Sequence, residues 1–171
     1  LVQWGREDDI RHDYYHSVSA QSLSAGLDEN GVPNSWRHRL AYPSIMSTFD
    51  PSVKQAGAME TGMGALNVPY AIPNISVETG EAESKVRIGW LRSVCNIFQS
   101  FGVNSFTDEI AHARGMDPRT NLLELLGPDR ILDLSGFGVE ETENYPFETG
   151  RLRNVIDLVA EKAGWGRNLP A

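Results

Sequence analysis

Residues 89–118, GWLRSVCNIFQSFGVNSFTDEIAHARGMDP, decide the fold. The second half of this stretch has apolar residues at helical spacing, which predicts a helix from about Phe98 to Arg114 that stops at Gly115. The first half places a tryptophan, an arginine and the only cysteine of the chain within six residues. The side chains just ahead of this helix are therefore candidates for a binding function.

The chain continues in helical patterns beyond this stretch. The predicted face of the first helix consists of Gly102, Phe106, Ile110 and Ala113, with Val103 beside them. Asp117 and Pro118 form an N-cap followed by proline at the first helical position, which predicts a second helix that ends at Gly127.

The last helix has the clearest pattern. Thr149 is its predicted cap and Gly164 its predicted end. Its apolar stripe is predicted to contain Leu152, Val155, Ile156, Val159, Ala160 and Ala163. Residues 128–148 are interpreted as a long connection with a small apolar patch at Ile131 and Leu134.

The region before residue 90 has the pattern of strands. Two alternating segments flank Asn30-Gly31, a pair that tolerates the positive φ of tight turns, so a hairpin is predicted over residues 17–42. Short strands are also predicted in LVQW, IPNISVE and SKVRIGW. Strands first and helices second predict an α+β fold of one domain over residues 1–171, mainly β in 1–90 and mainly α in 91–171.

Composition excludes several function classes. The chain has 171 residues and a net charge of −8, without an extended basic cluster, which argues against nucleic acid as a partner. No run of about 18 apolar residues suggests a membrane span. A single cysteine cannot form an internal disulfide, and it cannot supply the thiolates of a zinc ribbon or an iron–sulfur cluster.

Two polar clusters near the N-terminus are weak candidates for metal binding. His12 and His16 have the i, i+4 spacing of zinc-protease histidines, but the intervening residues are poor helix formers and no third ligand stands out. The sequence therefore favours a polar turn with two solvated histidines. The carboxylates of Arg6–Asp9, REDD, are interpreted as a solvated connection rather than a cation site. No metal ligand is predicted.

The opening stretch resembles a known family. The segments VRIGWLRSVCN and NSFTDEIAHARGMDP are similar to a signature of the molybdopterin-binding large (beta) subunits of molybdenum hydroxylases. The isoquinoline 1-oxidoreductase type, related to aldehyde oxidases and xanthine dehydrogenases, is the nearest match. The resemblance extends to WGREDD and the hairpin, to VPYAIPNISVE and to GRLRNVIDLVAEKAGWG, and it is weakest in residues 43–60 and 128–146.

The resemblance implies a role in binding the molybdenum–molybdopterin cofactor, in its cytosine dinucleotide form. Carried over to this sequence, the cofactor-binding positions are Trp90, Leu91, Arg92 and Ser93. An arginine offers fixed donors to an anionic group with many acceptors. The alternative interpretation is that Arg92 pairs with a carboxylate and Trp90 belongs to the core.

By the same resemblance, the full enzyme oxidises an N-heterocycle or an aldehyde with water as the oxygen source. Its electrons leave through an iron–sulfur small subunit. The glycine-rich loop and the catalytic glutamate motif of the family do not occur in this chain, so no catalytic residue is predicted here. The chain also lacks an initiator methionine. We therefore expect a fragment of a subunit, inactive and free of molybdenum when isolated, with exposed apolar surface where neighbours are missing.

Two positions depart from the family pattern. Cys95 stands where the family has glycine, so a positive φ there would cost about 1 kcal/mol or more. Thr61 stands where xanthine-type relatives have a substrate-orienting arginine, which favours a neutral heterocycle or an aldehyde. The first departure also supports an alternative function, a non-catalytic interaction or scaffold domain descended from such a subunit.

Overall fold

A three-stranded sheet forms the first half of the molecule. The computed structural model describes residues 1–135 and 144–167. Strands β1 (Ala20–Leu27) and β2 (Pro33–Ala41) pair antiparallel, and β3 (Asn74–Gly80) joins β2 in parallel. Helices follow the sheet along the chain, so the α+β prediction is confirmed.

The predicted hairpin is present in β1 and β2. Leu23 lies opposite His38 and Ala25 opposite Trp36, so these side chains share one face of the sheet. The loop is held by the Asp28 carboxylate, which accepts hydrogen bonds from two backbone N–H groups of the turn at 2.9 Å. Gly31 adopts φ +76°, the positive angle for which glycine is suited.

Three helices make up most of the second half. They are α3 (Asn96–Ala113), α4 (Pro118–Leu126) and α5 (Thr149–Ala163). The predicted ends of the first two are confirmed: Gly115 has φ +65° after α3, and the Asp117 side chain accepts from the Thr120 N–H at the start of α4. Gly164, with φ +64°, ends α5 as predicted.

The main core lies between β2 and the helices. Trp36 of β2 is 1% exposed, and its ring makes edge contacts with Tyr70 at 5.7 Å and with Phe106 of α3 at 5.0 Å between centroids. Leu125 and Leu126 of α4 complete this core. A second cluster includes Tyr42, Ala65 and Cys95 and lies under the first turn of α3.

Two predicted strands are wrong. LVQW has no regular structure, and the charged residues after it form α1 (Arg6–His12), whose acidic first turn suits the positive end of a helix dipole. SKVRIGW is an irregular segment that lies against the residues before β1, here called the N-terminal arm (residues 1–19), with a β-bridge between Tyr15 and Ile88. A 3-10 turn (Ile45–Thr48) and a short α2 (Ala58–Thr61) also lie in the half predicted to be mainly β.

Three details of the helical half also differ from prediction. In α3 the buried side chains are Gln99, Val103, Thr107, Ile110 and Ala111, and Ala113 is exposed. The buried face of α3 is therefore rotated relative to the predicted apolar face, and it includes the polar side chains of Gln99 and Thr107. The Thr149 hydroxyl does not cap α5; it donates to the carbonyls of Pro128 and Arg130, and it accepts from the Arg130 N–H.

The long connection contains a short strand pair. Strand β4 (Ile131–Leu132) pairs with β5 (Phe147–Glu148), and Ile131 of the predicted apolar patch is 67% exposed. The middle of the connection, residues 136–143, lies outside the described residues. Within the described part of the chain, no helix has the length and apolarity needed to cross a bilayer.

Candidate functional site

The turn that precedes α3 is fixed by the N-terminal arm. The Gly89 N–H donates to the Tyr15 carbonyl at 3.1 Å, and the Tyr15 N–H donates to the Arg87 carbonyl at 2.8 Å. A Cβ added to Gly89 would lie 2.6 Å from the Tyr14 Cβ, so glycine permits this close approach. The arm therefore sets the direction in which the next residue, Trp90, leaves the turn.

The backbone of the turn is strained just before the helix. Ser93 has φ +69° and Val94 has φ +45°, the only non-glycine residues with positive φ in the described chain. Such angles are uncommon for residues with a Cβ, and they are rarest for β-branched residues. Two backbone hydrogen bonds close the turn, from Val94 to Leu91 at 3.0 Å and from Asn96 to Ser93 at 2.8 Å. Strain of this kind concentrates at functional sites.

The four predicted cofactor-binding residues lie together on this turn. Trp90 is 47% exposed, Leu91 is half-buried, and Arg92 and Ser93 are exposed. Within the described residues, Arg92 has no ion pair and no side-chain hydrogen bond. Among the described residues, Arg92 therefore has no structural ion pair, and Trp90 is too exposed to be a core residue.

Trp90 forms one side of an open cleft of about 590 Å³. Phe49, 71% exposed, faces it with 6.1 Å between ring centroids. Further along the cleft, Arg87 lies over the Tyr14 ring at 5.3 Å from the centroid, and Lys54 pairs with Glu83 at 2.7 Å. The cleft is thus lined by both exposed aromatic rings and charged side chains. Two of the charged side chains are cations and one is a carboxylate, although the chain as a whole is acidic.

Sequence reasoning missed the far side of this cleft. Phe49 and Lys54 belong to residues 43–69, which have no steady periodicity. Their position depends on a loop that returns to the end of β3, where Gln55 bridges to Glu81, the residue after the strand. A single lysine or phenylalanine in an irregular loop gives no local signal for such a contact.

Cys95 is an ordinary buried thiol. Its φ is −72°, so cysteine at the family's glycine position carries no conformational cost here. Burial is the main effect that raises its pKa to about 11; a hydrogen bond with Tyr42 lowers the pKa, and the nearby Glu60 raises it. The protonated thiol is a poor nucleophile and a poor metal ligand.

Behind Cys95 lies a buried polar network that the sequence did not indicate. Gln99 is fully buried and donates from Nε2 to the Tyr42 hydroxyl and to the Glu60 carbonyl, each at 3.1 Å. The Glu60 carboxylate accepts from the Ser44 hydroxyl at 2.6 Å and from the Ile45 N–H at 2.8 Å. These bonds hold the loop after β2 against the first turn of α3, and so they position the turn from behind.

Thr61 does not face an open cleft. It is 3% exposed, and its hydroxyl donates to the carbonyls of Gly57 and Ala58 at 3.1 and 3.2 Å. These bonds belong to α2 itself. The geometry therefore gives this hydroxyl no role in orienting a substrate.

The two histidines of the weak metal motif do not share a helix. His12 ends α1 and donates from Nδ1 to the Asp8 carbonyl at 2.9 Å. His16 lies beyond the helix and makes an edge contact with Phe98 at 5.8 Å. Within residues 1–135 and 144–167, no group of three or more His, Cys, Asp or Glu side chains could hold a metal ion.

The turn suits a flat, anionic group with many hydrogen-bond acceptors. Arg92 offers guanidinium donors, Ser93 a hydroxyl, and Trp90 an indole face, and all three side chains reach solvent. A molybdopterin nucleotide has phosphates, amide-like ring edges and a planar ring system, so the chemistry of these residues fits it.

Comparison with known proteins gives partial matches. No known protein-family profile matches the chain. It is 38% identical over 177 residues to the membrane-bound aldehyde dehydrogenase (pyrroloquinoline-quinone) of Gluconacetobacter polyoxogenes, a match that covers 95% of this chain and 21% of the relative. It is 26% identical over 151 residues to one of the subunits of the nicotinate dehydrogenase of Pseudomonas putida, a match that covers 85% of this chain and 13% of that relative. The chain thus spans about a fifth of the first relative's length and less of the second's. Similarity to two dehydrogenases over most of the chain supports an oxidoreductase-related role.

Proposed function

We propose that this chain forms part of a molybdenum-dependent hydroxylase subunit, in which the turn at residues 90–93 holds the molybdopterin cofactor. The whole enzyme oxidises an N-heterocycle or an aldehyde with water as the oxygen source, and the electrons pass to an iron–sulfur partner. The observation that carries the proposal is the exposed Arg92, unpaired among the described residues, on a strained turn at the centre of the segment that resembles the family signature.

The residues of the turn have separate tasks in this proposal. Arg92 binds an anionic part of the cofactor through its guanidinium, and Ser93 adds a hydrogen bond. Trp90 covers an apolar face and excludes water from it. The cofactor supplies the redox chemistry when it is bound. Because the family's catalytic glutamate motif does not occur in this sequence, the proposal gives this chain a binding role and assigns proton transfer to another part of the enzyme.

The names of the two relatives agree with both proposed substrate classes. One is an aldehyde dehydrogenase, and the other is a dehydrogenase of nicotinate, which is a nitrogen heterocycle. The first is also named for pyrroloquinoline quinone, so the cofactor is the part of the proposal that most needs a direct measurement.

The test is cofactor analysis of the full-length protein that contains this chain. We expect mass spectrometry of the metal to find about one molybdenum per polypeptide, together with the fluorescent oxidation product of a pterin. Pyrroloquinoline quinone without molybdenum would contradict the proposal. A folded full-length protein with neither cofactor would support the scaffold alternative, which loses its Cys95 argument because the φ of that residue is ordinary.

Arg92→Ala tests the assigned residue in the same protein. We expect molybdenum and pterin content to fall several-fold while the thermal unfolding temperature stays within a degree or two, because Arg92 is exposed. Arg11→Ala, at an exposed arginine of α1, is the matched control and should leave the cofactor content unchanged. Equal cofactor content in both variants would remove Arg92 from the site.

A further inference from the structure

Helix α5 has two apolar faces, and the protein covers only one of them. Leu152 and Ile156 pack against the main core, and Ala160 is 8% exposed. Val155, Leu158 and Val159 point away from the core and are 59%, 50% and 60% exposed. Three adjacent aliphatic side chains on one helix face are a surface that binding to another molecule would stabilise.

Cations stand at both ends of this apolar stripe. At 100° per residue, Arg151 and Lys162 fall within the same arc of about 100° as the three aliphatic residues. Both are exposed and, among the described residues, neither has an ion pair. They are separated by three turns of helix, about 16 Å along the axis. We call the five residues Arg151, Val155, Leu158, Val159 and Lys162 the α5 face.

The other charges of the helix lie outside the α5 face. Arg153 donates to two backbone carbonyls at the end of α4, and Asp157 pairs with Arg119 of α4. Glu161 falls about 60° beyond the edge of the arc, on the flank of the helix. The α5 face is therefore an apolar patch between two cations that no described carboxylate neutralises, on a chain whose net charge is −8.

Charge decides which occupant fits. Two copies of α5 packed antiparallel would bring Arg151 of one copy near Lys162 of the other, and parallel packing would pair like residues, so both arrangements are repulsive. Helix α1 has acidic residues, but its seven residues span only about 10 Å, too short to reach both cations. An anionic membrane is disfavoured because the molecule as a whole carries a strong negative charge.

We propose that the α5 face docks an acidic amphipathic helix of a partner polypeptide. That helix presents an aliphatic stripe to Val155, Leu158 and Val159, and it places carboxylates about three turns apart against Arg151 and Lys162. The apolar contact supplies affinity, and the two ion pairs fix the register and select against basic partners. The proposal is independent of which cofactor the enzyme uses.

The test is a binding titration of the chain with two labelled helical peptides of about eighteen residues, long enough to span three turns with a margin at each end. Both carry leucines at i, i+3 and i+4 on an alanine-rich background; one has glutamates about eleven positions apart, and the other has lysines there. Fluorescence anisotropy should show the acidic peptide bound about tenfold more tightly at low salt, with the difference shrinking as salt screens the pairs.

Charge reversal provides the decisive comparison. Arg151→Glu with Lys162→Glu should invert the preference between the two peptides, whereas Val155→Ser with Val159→Ser should weaken both. The matched control is Arg11→Glu with Lys85→Glu, which changes the net charge equally at exposed sites outside the α5 face. Equal binding of the two peptides, or the same response in the control, overturns the proposal. The proposal is also overturned if the chain sediments with anionic vesicles or dimerises, and the charge reversal on the α5 face abolishes that behaviour.

Discussion

Ser93 is the residue at which backbone strain can be tested directly. Its φ of +69° is unfavourable for a residue with a Cβ and neutral for glycine. We expect Ser93→Gly to be more stable than Ser93→Ala by about 1 kcal/mol, because only the glycine variant removes the strain. Urea denaturation of the two variants measures the difference. Equal stabilities would show that this turn stores no strain.

His38 makes the stability depend on pH. It is fully buried, and burial lowers its pKa to about 4 from an ordinary value near 6.5. As the pH falls below 6.5, the unfolded chain takes up a proton that the folded chain does not, so the stabilisation is complete above pH 6.5 and is lost towards pH 4. The loss amounts to roughly 3 kcal/mol at about pH 4.

The measurement is a set of urea denaturations between about pH 7 and about pH 4, which brackets the two pKa values of the imidazole. His38→Gln removes the titration but keeps an amide donor for the Gln21 oxygen, which the imidazole Nε2–H contacts at 2.8 Å. The variant should lose less stability across this range than the native chain. A direct titration of the imidazole by nuclear magnetic resonance gives the same answer independently, and a pKa at its ordinary value would refute the expectation.

Single residues also show how much of the candidate site could be predicted from the sequence. Trp90, Arg92 and Ser93 could be grouped from the sequence because they are neighbours in the chain. Phe49 and Gln99 could not be found in this way, since their contacts join residues far apart in sequence: Phe49 meets Trp90, and Gln99 meets Tyr42. Contacts of this kind depend on tertiary packing, which local patterns do not encode.

At the scale of elements, the contact between β1 and α3 depends on Gly102. A Cβ on this residue would collide with the Gln21 amide, which donates to the Phe98 carbonyl at 2.8 Å. We expect Gly102→Ala to lower the unfolding temperature despite the higher helix propensity of alanine. Gln21→Ala should remove the collision, so the double variant should be more stable than additivity predicts. Gly57→Ala, whose added methyl would meet nothing within 4 Å, is the control.

Elements with local signals were predictable and the others were not. The hairpin has its Asn-Gly turn, and α4 has its Asp-Pro start and a glycine at its end. The parallel pairing of β3 with β2 leaves no trace in either strand, because hydrophobic alternation does not reveal the partner's direction. Helix α1 was missed for a different reason: it has no buried residue, so it has no apolar stripe to recognise.

Many large apolar side chains are exposed in the described part of the molecule. Besides the α5 face, the exposed side chains include Trp4, Ile10, Ile97 and Phe101. We expect the folded chain to enhance the fluorescence of an anilinonaphthalene sulfonate dye, with intact near-ultraviolet circular dichroism to exclude a molten state. Val155→Ser with Val159→Ser should reduce the enhancement. A folded monomer that does not enhance the fluorescence of the dye would contradict this expectation.

The parallel position of β3 also has a consequence for the order in which the molecule assembles. Strands β1 and β2 are joined by a short turn and can pair as soon as both have been synthesised. Strand β3 must first close the loop of residues 42–73 before it can pair with the opposite edge of β2. The N-terminal arm can dock only later, because the segment that it pairs with, residues 87–89, follows β3 in the chain. The turn that bears Arg92 therefore acquires its shape late, and a ribosome-bound nascent chain that ends before residue 87 should show a protected hairpin and an N-terminus open to proteases.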